Sequence, residues 1–283
     1  MACGGSRVVN AGQEPRTIRE LVREARDGGA RNVPYVIPSP TLLARVRAWA
    51  AESARGTIGN AHAPPGFTLA RTEGSTIVLM EDAAHRQGGG VYAVRRGHAA
   101  PLIIEVPHSF SDVHTLRIGF TLFDRLSARA LLVSSVHRYA ACPDRAKPCP
   151  SDVAHNEESL FHAAHAGLLD GDPSLAVIAV HGFAARDGDP AVIVSGAGTL
   201  LDPTEIAPVL HEALDAPVAT FPTQIRRLGG QRGAQARDVA ARGGRLLHLE
   251  IARDLRNSLA QERSLRVRLA DALQSLVTDA PAP

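Results

Sequence analysis

The apolar positions of the chain change period part-way along. TIRELVREARD (17–27) and PSPTLLARVRAWAAESA (38–54) carry apolar residues at helical spacing, the second with Ser39 or Thr41 near its start, and predict two helices. STIVLMED and GGVYAVRRG flank a polar, Gly-rich turn and predict a hairpin over 75–97. From residue 100 onward, short apolar runs alternate with helical segments. The runs are APLIIEV (100–106), ARALLVSSV (128–136), SLAVIAV (174–180), PAVIVSG (190–196), APVATF (216–221) and RLLHLEI (245–251). Most are continuously apolar, as expected of strands covered on both faces by helices.

Between them, TLRIGFTLFDRL (115–126) aligns Leu116, Phe120, Phe123 and Leu126 on one helical face. NEESLFHAAHAGLL (156–169), PTEIAPVLHEALD (203–215) and SLAQERSLRVRLADALQSLV (258–277) predict further helices. The expected fold class is α/β: a single domain with a mixed, mostly parallel sheet flanked by helices. Residues 1–15 read as a loose tether, 16–97 as an N-terminal helical and hairpin elaboration, 98–257 as the core, and 258–283 as a C-terminal helix and tail.

Composition narrows the function classes. The chain has 283 residues, enough for one large α/β domain or two small ones. Apolar residues at 45% and charged residues at 21% are ordinary for a soluble globular protein. A net charge of +2 argues against a general nucleic-acid surface. There is no run of about 18 or more apolar residues of the kind that spans a bilayer as a helix. Abundant Ala, Arg and Gly with almost no Lys point to a high-GC bacterial coding sequence.

The cysteines speak to location. Cys142 and Cys149 flank PDRAKP and predict a disulfide clip of the kind that persists in oxidising compartments; two unpaired thiols are the alternative. Cys3 lies in MACGGS, which resembles the sequence at the cleavage site of a bacterial lipoprotein. Lipidation of Cys3 would provide the only membrane tether. The expected location is therefore the bacterial cell envelope or periplasm, with the cytoplasm as the alternative.

Candidate chemistry gathers where the strands end. Ligands of open α/β sheets bind beyond the carboxyl ends of the parallel strands. The run 100–106 ends in Glu105 and leads into PHSFSD, with His108 and Asp112; the next runs end in VHR (His137, Arg138) and VHG (His181, Gly182). The last carries Glu250 in HLEIARDLR. If the strands are parallel, these groups share one edge.

A hydrolytic zinc takes three His or carboxylate ligands and keeps one position open. His108, Asp112 and His181 form such a set, with Glu105 as the alternative carboxylate. Glu250 suits the carboxylate that moves the proton of the attacking water. Arg138 suits an oxyanion or substrate carboxylate. The competing readings are structural. His108 can be a satisfied loop histidine, and Asp112 can cap the helix 115–126. His114 reads as solvent-facing or behind a ligand, and His162 and His165 as exposed or locally packed.

These motifs resemble the N-formylglutamate amidohydrolase-like branch of the zinc carboxypeptidase superfamily. VPHSFSD (106–112), VHRY (136–139), VHGF (180–183) and LEIARDLR (249–256) carry the resemblance over residues 100–257, leaving the first 95 or so unexplained. It implies Zn2+ as the cofactor, His108 and His181 as metal ligands, and Asp112 as the carboxylate ligand. It also implies Glu250 as general base and acid, within a Glu-Ile-x-Arg pattern that ends on Arg253. His137-Arg138 stands where the superfamily carries Asn-Arg. Carboxypeptidases have His-x-x-Glu, whereas here the acidic residue follows His108 by four positions.

Further on, QIRRLGGQRGAQARD (224–238) places Arg226, Arg227, Arg232 and Arg237 around a Gly-Gly hinge. Such a loop can close over an anionic substrate. It lacks the aromatics that stack nucleic-acid bases, so no nucleic-acid partner is expected. The expected activity is zinc-dependent hydrolysis of an amide bond in a small acidic acyl-amino acid or peptide. Arg226, Arg227 and Arg253 are the expected substrate-binding residues. The competing class is a non-catalytic, surface-anchored protein that holds an anionic ligand on the same scaffold.

Overall fold

The computed structural model describes residues 16–27, 35–57, 63–72, 75–145, 147–198 and 202–278. Cys3 and the 1–15 tether lie outside the described residues. In chain order the elements are α1 (Ile18–Asp27), α2 (Pro40–Ala54), β1 (Phe67–Arg71), β2 (Thr76–Glu81), β3 (Val91–Arg95), β4 (Ala100–Val106), α3 (Thr115–Arg125), β5 (Ala128–Val133) and α4 (Leu160–Gly171). They continue as β6 (Ala176–Phe183), β7 (Val192–Gly198), α5 (Pro203–Leu214), β8 (Val218–Thr220), α6 (Ala234–Ala241), β9 (Arg245–Ala252), α7 (Arg253–Gln261) and α8 (Arg263–Thr278). Among the described residues, no helix is long and apolar enough to cross a membrane.

All nine described strands join one mixed sheet in the order β1-β2-β3-β5-β4-β6-β9-β7-β8. The four central strands, β5, β4, β6 and β9, run parallel. The hairpin strands β2 and β3 pair antiparallel, and β3 joins them to β5 in the same sense, so the N-terminal elaboration extends the sheet. The chain leaves β4 for β5 on one side and returns through α4 to β6 on the other. The carboxyl end of β4 is therefore a switch point of the kind at which α/β sheets open a crevice.

Strand alternation sorts the core into two layers. Leu102, Ile104 and Val106 of β4 pack with Ile118 and Phe123 of α3, Leu210 of α5 and Leu269 of α8. Ile103 faces the other way, with Val46 and Trp49 of α2, Leu168 of α4 and Val239 of α6. α2 and α4 approach closely because Gly167 and Gly171 have no side chain; a Cβ at either would overlap the carbonyls of Arg47 or Ala51. At the carboxyl ends of β4, β6 and β9 the α4 and α6 face turns polar, with Glu105, His181, His248 and Glu250.

Three elements depart from the sequence reading. β1 is a third strand beside the hairpin, too short and weakly alternating to stand out as FTLAR. The second half of the Arg-rich segment is helix α6. The long C-terminal helix is two, because Glu262 takes an extended conformation (φ −98°, ψ 108°) between α7 and α8. The Cys142–Cys149 disulfide is formed, with Cα atoms 5.9 Å apart.

Candidate metal centre

The loop after β4 brings His108 and Asp112 against the end of β6. His108 Nδ1 lies 3.3 Å from Asp112 Oδ2, and His181 Nδ1 lies 3.9 Å from the same oxygen. The two imidazoles meet edge to face, with centroids 5.0 Å apart. All three residues are buried, and their donor atoms lie within 4.8 Å of one another. Two imidazoles and a carboxylate so placed can hold a divalent metal ion.

Each group is braced from behind. His108 Nε2–H donates to Asp152 Oδ1 at 2.8 Å, which leaves Nδ1 as the nitrogen turned toward Asp112. Asp152 Oδ2 accepts from Arg138 Nη2 at 2.6 Å. Burial opposes the charge on Asp152, but His108 and Arg138 more than offset it and hold the carboxyl well below the usual range. Burial likewise opposes protonation of His108, and the Asp112 and Asp152 hydrogen bonds reverse the sign, raising its pKa. Burial and the neighbouring His248 and His108 push His181 well down.

Asp112 accepts the backbone N–H of Gly182 at 3.0 Å. Its side chain does not cap α3; its carbonyl takes Thr115 instead, and His114 is the N-cap in a left-handed conformation. His114 lines a small outer pocket with Arg23 and Arg117 that His108, Asp112 and His181 do not line.

Glu250 lies opposite His181 in the parallel register of β6 and β9. Burial, and then the charge of Asp112, pushes its pKa up to about 8. Two residues earlier on the same face is His248, which the sequence reading passed over. Its ring centroid lies 4.5 Å from that of His181, and its Nε2 lies 3.8 Å from Glu250 Oε1. Burial lowers its pKa to about 4, so the imidazole is neutral. Glu250 Oε2 and His248 Nδ1 are buried and, among the described residues, have no hydrogen-bond partner.

Glu105 is committed elsewhere. It accepts from His165 Nδ1 at 2.6 Å in a fully buried pair, and so is not free to replace Asp112. His165, expected to be exposed or locally packed, is fully buried in α4, because the β4 face that α4 covers carries a carboxylate there.

The centre opens into a cleft of about 630 Å³ lined by basic groups: Arg138, Lys147, Arg226, Arg227 and Arg232. Lys147 is the only lysine of the chain and sits inside the disulfide-closed loop. The Arg-rich segment is tethered rather than loose: Arg227 pairs with Asp189, Ser195 Oγ donates to Gly229 O, and Arg237 pairs with Glu157 at 2.7 Å. Arg226 is exposed and, among the described residues, has no ion-pair partner. Arg253 is exposed at the start of α7 and does not line the cleft, since the strand has ended and the chain has turned outward.

Arg256, one turn further, is the inward one. Its guanidinium donates to the carbonyls of Ile251 at 3.0 Å, Phe183 at 3.3 Å and Val113. It thus ties the ends of β9 and β6 to the loop that carries His108 and Asp112.

No family model matches this chain, and no curated protein matches it in sequence. Among solved structures, it is similar to N-formylglutamate amidohydrolase from Ralstonia eutropha JMP134, at 14% identity and a TM-score of 0.42, over 68% of this chain and 98% of that one. It is also similar to a bacteriophage poly-gamma-glutamate hydrolase, at 14% identity and 0.41, over 65% and 86%. A metallo-carboxypeptidase from Burkholderia cenocepacia matches at 12% identity and 0.37, over 80% and 67%. The likeness is one of fold. The functional reading therefore rests on the site itself.

Proposed function

We propose that the protein is a zinc-dependent hydrolase that cleaves an amide bond in a small acidic acyl-amino acid or peptide. The observation that carries this reading is a buried His108–Asp112–His181 donor set with the Glu250 carboxyl directly across from His181. The donor set fits the ion: imidazole suits zinc, and Asp152 behind His108 fixes the nitrogen that faces inward. A zinc ion held there would polarise the scissile carbonyl and acidify adjacent water.

The protein's own residues supply the rest. Glu250 Oε2, buried and without a hydrogen-bond partner among the described residues, is the atom that takes the proton of attacking water and passes it to the leaving nitrogen. A cation beside Glu250 favours its ionised, proton-accepting form. Arg138, at the rim of the centre, stabilises negative charge developing on the carbonyl oxygen. Arg226 and Lys147 line the cleft from two different loops and bind substrate carboxylates. Arg227 joins them by exchanging Asp189 for a substrate anion.

The non-catalytic alternative would be favoured by a Glu250 locked in an ion pair away from the centre; among the described residues its nearest ionisable partner is His248, within the centre. The disulfide supports a location in an oxidising compartment such as the periplasm.

Metal analysis with three variants tests the reading. Wild type should carry about one equivalent of zinc, and His108→Ala and His181→Ala should lose it. Glu250→Gln should keep the metal while losing turnover of N-acyl-glutamate and N-acyl-aspartate substrates. Zinc below about 0.2 equivalents, unchanged by the histidine variants, would overturn the metal reading. Turnover retained in Glu250→Gln would assign the base elsewhere.

A further inference from the structure

We infer that the recess between α1 and α3 is a binding site for a phosphoryl dianion, either free or carried as the phosphomonoester headgroup of a lipid. The recess encloses about 210 Å³ and is lined by Arg23 and Arg26 of α1 and by His114 and Arg117 at the start of α3. It is separate from the metal cleft. The loop after β4 contributes to both: His108 and Asp112 line the cleft, whereas Ser109 and Val113 line the recess.

Helical spacing builds the basic wall. IRELVREARD puts Arg19, Arg23 and Arg26 at i, i+4 and i+7, on one face of α1. Arg19 pairs with Asp124 of α3 at 2.7 Å and lies over the Phe120 ring. Arg26 lies over the Phe110 ring and donates to Ser109 O at 2.9 Å, with Asp27 as its acidic partner. The glutamates of α1 are engaged elsewhere: Glu20 accepts from the backbone N–H of Thr17, and Glu24 from Arg16.

Arg23 and Arg117 are left over. Both are exposed, and among the described residues neither has an ion-pair partner. The surroundings add further cations. Arg266, buried in α8, donates to Thr121 Oγ1 one turn along α3; burial and then the charges of Arg117, Arg19 and Arg263 push its pKa down. α3 starts with no acidic residue in its first turn and no side-chain hydrogen bond from its N-cap His114, so the positive end of its dipole joins the same field.

Charge and direction select the ligand. Two surplus guanidinium groups call for a dianion, and a phosphate monoester carries close to two negative charges at neutral pH. Arg23 and Arg26 reach the recess from one helix and Arg117 from another. Guanidinium forks on two sides match the several oxygens of a tetrahedral phosphoryl group, whereas one carboxylate offers a single plane and a single charge. Leu116 and Phe120 supply an apolar wall for a short organic substituent.

Equilibrium dialysis of the full chain against radiolabelled inorganic phosphate, in about 150 mM NaCl, tests this. One bound equivalent should survive Arg226→Gln in the metal cleft and weaken at least about tenfold in the double variant Arg23→Gln/Arg117→Gln. Both substituted side chains are exposed, so the fold should stand, which melting curves verify. Where the pair melts early, Arg117→Gln alone serves.

Sedimentation with vesicles of phosphatidic acid in phosphatidylcholine separates the two sources. Co-sedimentation that the double variant loses would assign the lipid headgroup; phosphate binding without it would assign a free phosphate compound. An equivalent lost only in Arg226→Gln would place the anion in the metal cleft and overturn the inference. So would equal binding in wild type and the double variant, or no binding at that salt. Displacement of phosphate by an equal concentration of glutarate would overturn the phosphoryl assignment.

Discussion

Asp152 holds His108 from behind: its Oδ1 lies 2.8 Å from His108 Nε2, while its other oxygen takes Arg138 at 2.6 Å. One carboxylate thus sets both the tautomer of His108 and the position of the arginine beside it. Substituting Asp152→Asn keeps the shape but removes the charge that favours an Nε2–H on His108. Zinc affinity should fall about 10- to 100-fold, the usual effect of losing such a partner. Competition with a chromophoric chelator measures it. Affinity unchanged within about twofold would show that Asp152 serves Arg138 alone.

Gly182 serves the centre through its backbone and through its lack of a side chain. Its N–H donates to Asp112 Oδ2 at 3.0 Å, and a Cβ would overlap Arg256 Nε and Cζ. Arg256 in turn holds the carbonyls of Ile251, Phe183 and Val113. Gly182→Ala should therefore displace the guanidinium and loosen the loop that carries His108 and Asp112. The expected cost is about 1–3 kcal/mol of stability from overpacking. Zinc affinity should fall as well, which a simple packing defect elsewhere in the core would not cause. Denaturant melts and chelator competition read the two effects separately. A loss of stability with zinc affinity intact would limit Arg256 to a packing role.

Much of this arrangement was legible in the residues. His108, Asp112, His181 and Glu250 interrupt or end apolar runs, and the parallel order of β5, β4, β6 and β9 brings those ends to one edge. His248 lay in the same short segment, HLEIAR, and period-two alternation puts it on the face of Glu250. A lone histidine in an apolar strand carried no other signal.

Asp152 and Arg256 were not legible, because each acts through a tertiary contact with no periodic mark: Asp152 from the loop beyond the disulfide, Arg256 from one turn into α7. The fate of Glu105 was hidden for the same reason. Its partner lies 60 residues further along the chain, on a different element. α6 was concealed by its arginines and flanking glycines, which read as a loop although AQARDVAA is a sound helix former.

The His165–Glu105 pair makes stability depend on pH with a predictable sign. His165 is fully buried; Glu105 faces Nδ1 at 2.6 Å, Asp238 faces Nε2 at 3.5 Å, and His162 stacks on the ring at 5.7 Å. Burial opposes its protonation, but Glu105 and Asp238 prevail and raise its pKa from 6.5 to about 9. Asp238, itself held near 2, stays ionised throughout this range and adds no slope of its own. Because the folded value is the higher one, the stabilisation is complete below pH 6.5 and is lost as pH rises through about 9. A rise of about 2.5 pKa units at 1.36 kcal/mol each is on the order of 3 kcal/mol. For a domain of this size that amounts to a fall in Tm of roughly 6–12 °C between pH 6 and 9.5. His165→Gln should melt lower at pH 6 and show a flatter profile across the same window. Melting curves at half-unit steps decide it: an equal slope in wild type and variant would place the proton uptake on another group.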